Sequence, residues 1–86
     1  MPKVADTVTL TLDRSVALVI FDFLSRNADE DEGELLADAL ESKAELSAML
    51  SLFAELDDVL TEPMADDYRA LVEAARGAVI KKFGSA

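Results

Sequence analysis

Four groups of residues in this chain carry side chains that could do chemistry. The first is Asn27-Ala28-Asp29-Glu30-Asp31-Glu32-Gly33, which places oxygen donors at alternate positions 27, 29 and 31 as a calcium-binding loop does. An EF-hand needs glycine at the sixth position for its turn, and Glu32 stands there, with Gly33 one residue late. The eighth position is Glu34 where an aliphatic residue is usual, and the twelfth is Asp38 in place of the longer bidentate glutamate. The segment therefore reads as a solvated acidic loop, and no metal site is expected. The second and third groups, Asp57-Asp58 and Asp66-Asp67, flank Thr61-Glu62-Pro63. Paired carboxylates do acid–base work when one of them is desolvated. Neighbours in an exposed turn are not. The fourth is Asp22, alone in an otherwise apolar run, with Arg26 four residues on as the expected ion-pair partner. The chain has no His, no Cys and one Tyr, and it has no Gly-rich phosphate loop. Catalysis is not expected, and no cofactor is implied.

The elements that hold these residues follow from periodicity. Residues 7–12, Thr-Val-Thr-Leu-Thr-Leu, alternate strictly and are β-branched at four of six places, which predicts a strand. Asp13 is placed to cap a helix over 13–26. In "SVALVIFDFLSR" the polar residues Ser15, Asp22 and Arg26 are spaced by seven and four, one narrow helical stripe, and the rest of that cylinder is apolar. An acidic loop over 27–33 and a short helix over 34–41 come next. Ser42 and Glu45 have the spacing of a capping box and open a helix over 43–61, with Leu46, Met49, Leu50, Phe53, Leu56 and Leu60 on its apolar stripe. Pro63 ends it. Asp66 is the expected cap of a last helix over 66–83, whose inward stripe is Tyr68, Leu71, Val72, Ala75, Val79 and Phe83 and whose C′ position is Gly84. Ala70, Ala74 and Ala78 form a line of small residues beside Gly77, which predicts close packing of another helix there.

The predicted fold is mostly α, a single domain over 1–86: one short N-terminal strand followed by a three- or four-helix bundle. A lone strand leaves its backbone donors and acceptors unpaired, which folded chains avoid. Two-fold homodimers are the commonest oligomers, so pairing with the same strand of a second copy is the simplest remedy. The expected dimer interface is Val8, Leu10, Leu12, Val16, Val19, Ile20 and Phe23. An 86-residue chain with 51% apolar residues and no Cys has neither disulfides nor, without His, a zinc site to supplement a thin core. A second subunit is the remaining device. The unbroken apolar run from Val16 to Phe21 is far below the roughly 20 residues that span a bilayer. No signal-peptide pattern opens the chain, and the lack of Cys fits the cytoplasm.

Net charge is −10, with a pI near 4.1, which excludes ordinary nucleic-acid binding through phosphate contacts. Fourteen of the eighteen acidic residues lie in 29–67, against Lys43 as the one base there. "VALVIFDFLSR" after a Thr/Leu strand, together with "LTEPMADDYRALVEAAR", resembles a family of small, uncharacterised, acidic bacterial helical proteins. The resemblance covers about half the chain. It rests on an ALVLFE-like core in the first helix, and on an EP pair followed by Tyr68, Leu71 and Ala75-Arg76. Asp22 stands where that family has Glu, and residues 28–42 form a longer insertion. The resemblance implies a helical fold and brings no activity. The expected function is a non-catalytic protein–protein interaction module of the bacterial cytoplasm. The alternative is an immunity-like, antitoxin-like or nucleic-acid-mimicking binder of a basic protein, using Asp57, Asp58, Glu62, Asp66 and Asp67. A metal-dependent sensor or an enzyme is the reading from another class.

Overall fold

The computed structural model describes residues 6–84, and among them the chain is mostly helical. Three α-helices carry the architecture: α1 (Arg14–Leu24), α2 (Lys43–Val59) and α3 (Tyr68–Phe83). α1 is central, with α2 packed along one side of it and α3 along another. That placement explains the apolar circumference of α1, because a helix flanked on two sides must bury more than one stripe. Ala17, Leu18, Phe21, Leu56, Leu60, Val72 and Ala75 form the shared core. The rings of Phe21 and Phe53 stack with centroids 4.8 Å apart, fastening α1 to α2. An aromatic pair of this kind adds about 0.5–1.5 kcal/mol beyond the area it buries.

The helix starts are written in the local sequence. Asp13 Oδ1 accepts from the Ser15 amide at 3.0 Å, and its Oδ2 accepts from Lys82 Nζ at 2.8 Å, which ties the far end of α3 to the start of α1. Ser42 and Glu45 form a reciprocal capping box at the head of α2. The cap of α3 is Asp67 rather than Asp66, and its side chain makes no capping bond. Pro63 lies in a short 3₁₀ turn, Glu62–Met64, which takes up the residues that would otherwise precede that helix.

α1 does not stop at Arg26. It runs on into a π-helical turn, Ser25–Asp29, so residues 27–29 belong to the helix end rather than to a loop. Ala28 is fully buried there. Glu32 and Gly33 then take left-handed backbone, with φ of 57° and 78°. Gly33 is buried against Leu46 of α2: a Cβ at this position would sit 2.6 Å from Leu46 Cδ1. Residues 34–39 form a 3₁₀ helix, and Leu35 is exposed. A segment this short presents too few apolar residues per face to bury itself.

Residues 8–13 carry no regular structure, and among the described residues there is no strand. The strand predicted over 7–12 needs a second strand for its hydrogen-bond ladder, and the described residues offer none. Val8, Leu10 and Leu12 are exposed, Leu10 to 72%. The small-residue line also differs from expectation. Ala70, Ala74, Ala78 and Gly77 are exposed, and nothing lies within 4 Å of where a Gly77 Cβ would stand. Ala74 and Ala78 instead border a shallow groove of about 310 Å³ beside Leu18 and Glu62.

Candidate functional site

Sequence spacing sets Asp22 on the polar stripe of α1. The fold turns that stripe toward α3, so Asp22 is 3% exposed. Its carboxylate meets four donors. Oδ1 accepts from Tyr68 Oη at 2.9 Å and from Arg69 Nη2 at 2.5 Å. Oδ2 accepts from Arg26 Nε at 2.9 Å and from Arg76 Nη2 at 3.3 Å. A carboxylate offers about four lone-pair positions, so this one is fully engaged. The guanidinium of Arg69 also lies over the ring of Tyr68, 5.5 Å from its centroid. Three of the chain's four arginines thus converge on one acid.

Two opposed effects act on the Asp22 carboxyl. Burial pushes its pKa up. The hydrogen bonds from Arg26 and Tyr68 and the charges of Arg69 and Arg26 pull it down, and the net position is below the usual value of 3.8. Burial of Tyr68, with its bond to the Asp22 anion, pushes the phenol up to about 12. Asp22 is covered only one layer deep. The arginine side chains that hide it are themselves 37–60% exposed, so water screens their charges from the outer side. The cluster therefore holds an ionised carboxylate and a neutral phenol across the neutral range. Neither is poised to exchange a proton there.

The other candidates are dispersed. Asn27 donates from Nδ2 to the carbonyl of Phe23 at 2.9 Å, and so belongs to the helix end. No group of three or more acidic residues that could hold a metal ion occurs among the described residues, and the calcium-loop pattern of 27–38 is not gathered around a point. Glu62 is half-buried and taken up by Arg14, through Nε at 2.6 Å and Nη2 at 2.8 Å. The hydrogen bonds from Arg14 hold its carboxyl below the usual range. Asp57 and Asp58 near the end of α2, and Asp66 and Asp67 before α3, are exposed. Of the expected interface residues, Val8, Leu10, Leu12 and Phe23 are exposed and Val16, Val19 and Ile20 are half-buried. On α1 the last four of these fall at i, i+3, i+4 and i+7, one stripe left partly open by α2 and α3.

Sequence reasoning paired Asp22 with Arg26 but did not bring in Tyr68, Arg69 or Arg76. A signal was present. Tyr68, Val72 and Arg76 lie four residues apart on one line of α3, so a cation follows two inward-facing residues. An arginine on such a line needs an acid from another element. No family model, no curated protein and no solved structure matches this chain.

Proposed function

We propose that the chain is a non-catalytic protein–protein interaction module that works as a homodimer. One observation carries the proposal: residues 8–13 extend from α1 with their apolar side chains exposed and no strand beside them. Water satisfies the exposed backbone here, and a segment with alternating Thr and Val/Leu can instead add to another strand and bury its apolar side chains. Pairing with the same segment of a second copy would bring the two open α1 stripes, Val16, Val19, Ile20 and Phe23, toward the same two-fold axis. The fully occupied Asp22 cluster, and the absence of a gathered acid–base or metal group among the described residues, give no support to a catalytic reading.

The test is mass in solution across the micromolar range, by sedimentation velocity or light scattering. A dimer is expected, dissociating on dilution. Leu10→Asp alters a side chain that the single chain leaves in water, so it should give a monomer with an unchanged helical spectrum. A native chain that is monomeric at every concentration ends this reading.

A second reading has its own observation. Asp57, Asp58, Asp66 and Asp67 are exposed, and none is engaged by a cation among the described residues. They support an acidic surface for a basic protein, with Glu62 already committed to Arg14. Retention of a basic protein that is lost on raising salt supports it, and salt-independent or absent retention removes it. Among the described residues no helix is long and apolar enough to cross a membrane.

A further inference from the structure

We propose that Arg26, Arg69 and Arg76 form a docking site for the carboxylates of an acidic segment on a protein partner, a basic seat on an otherwise acidic molecule. The inference rests on the reading of the chain as an interaction module and names a second surface of it. Its starting point is a charge imbalance. Asp22 neutralises one of the three guanidiniums, and Glu73 Oε1, 2.5 Å from Arg76 Nη1, neutralises a second. One positive charge is left over, in a chain whose net charge is −10. The four acceptor positions of Asp22 account for the number of donors, but neutral donors would fill them equally well, so the surplus of charge is left without a structural need.

The donors are also incompletely used. A guanidinium carries five N–H groups. Arg26 meets Asp22 through Nε alone, and Arg69 through Nη2 alone. Their remaining N–H groups lie on side chains 45% and 60% exposed. Arg69 is held twice, by Asp22 and by the face of Tyr68, so its fork is positioned before any ligand arrives. Positioning of this kind lowers the entropy lost on binding. Asp22 thus acts as a buried template that gathers the cations.

The class of ligand follows from the charge. A single surplus charge matches a carboxylate, which an arginine fork grips through two parallel bonds. A phosphate dianion would be half compensated, and a nucleic acid would bring many charges at a fixed spacing to a seat with one surplus charge. Short acidic peptide segments bring carboxylates one at a time.

Hexaglutamate serves as the probe, titrated into the full chain at low ionic strength by NMR, with acetate and inorganic phosphate as separate arms. Saturable shifts at Arg26, Arg69 and Arg76 are expected, weakening with salt. Arg69→Gln should weaken binding about two- to fivefold, the range of an exposed ion pair. Glu73→Gln, which frees Arg76, should tighten it by a similar factor, whereas a purely structural cluster predicts no change. Both side chains are exposed, and melting curves verify that each variant folds. Several outcomes overturn the site: no saturable binding to native or Glu73→Gln protein, equal affinity in all three proteins, or phosphate bound more tightly than the peptide. Self-association lost in Arg69→Gln overturns the choice of a foreign partner and assigns the seat to a second copy. Mass is measured on the same samples, so failure of the dimer and failure of this site are read separately.

Discussion

Asp22→Asn removes one charge and almost no volume. The carboxylate takes hydrogen bonds from three arginines at 2.5, 2.9 and 3.3 Å and from Tyr68 at 2.9 Å. Bonds to charged groups contribute about 1.5–3 kcal/mol each when both partners are dry. The arginines here are not dry: each is more than a third exposed and regains water when released, so most of that figure is returned. Asparagine also retains one oxygen for Tyr68. Working against the variant, three guanidiniums lose the anion that keeps them together. The expected net loss is about 2–3 kcal/mol, which for a domain of this size lowers Tm by about 10–20 °C. Chemical and thermal unfolding followed by circular dichroism at pH 7 measures it. The pH dependence adds a second reading. A carboxyl whose folded pKa lies below its unfolded value stabilises the fold fully above the unfolded value, near 3.8, and ceases to do so as pH falls through the lower folded one. The gap between native and variant should therefore close as pH falls below about 4. A variant melting within about 2 °C of the native chain at pH 7 would refute the claim that this charge holds α1 to α3. A gap unchanged in acid would show that shape, not charge, is what was lost.

Three further outcomes follow from named contacts. Tyr68 is the only tyrosine, so tyrosinate absorbance reports it alone, and half-titration is expected near pH 12 in the native chain and lower, though still above 10, in Asp22→Asn, where burial, the larger cause, remains. Because that pKa is raised on folding, the phenol's contribution to stability is present below about pH 10 and is lost as pH rises through 12. Gly33→Ala meets both a left-handed backbone and Leu46, and should cost about 1–2 kcal/mol in equilibrium unfolding; an unchanged midpoint would place Gly33 in another conformation. Gly77→Ala meets nothing in the single chain and should stabilise α3 by about 0.5–1 kcal/mol. A loss instead would mean that another helix covers that face.

The helical bundle was legible because its signals are local. Asp13, the Ser42–Glu45 pair, Pro63 and the three- and four-residue spacing of Leu46 to Leu60 each act within a turn or two of chain. The features that escaped depend on contacts between distant residues. Asp22 looks like a surface carboxylate until α3 covers it, and Arg69 and Arg76 lie 47 and 54 residues away. The π turn at 25–29 has no Pro or Gly to announce it; it leaves Ala28 buried and Asn27 bonded back to Phe23. The line Ala70–Ala74–Ala78 misled for the opposite reason. Small residues permit close approach without requiring it, and among the described residues nothing approaches Gly77 while Ala74 and Ala78 only border a groove. The strand pattern over 7–12 states what the segment is able to do, and among the described residues there is no second strand with which to do it.

That same segment sets a limit on how copies of this chain can assemble. Six uncharged, β-prone residues without proline are the composition that stacks into fibrils, each copy about 4.8 Å from the next. Asp6 stands immediately before them and is exposed. In a parallel stack its carboxylate would lie over that of every neighbouring copy, where two like charges repel by close to 1 kcal/mol even in water. The penalty recurs at every layer of a fibre. An antiparallel pair centred on residues 7–12 sets Asp6 of one copy opposite Asp13 of the other, whose charge Lys82 already meets at 2.8 Å, so the repulsion is milder there. Acids on both flanks, Asp6 and Asp13, would thus act as gatekeepers against endless polymerisation.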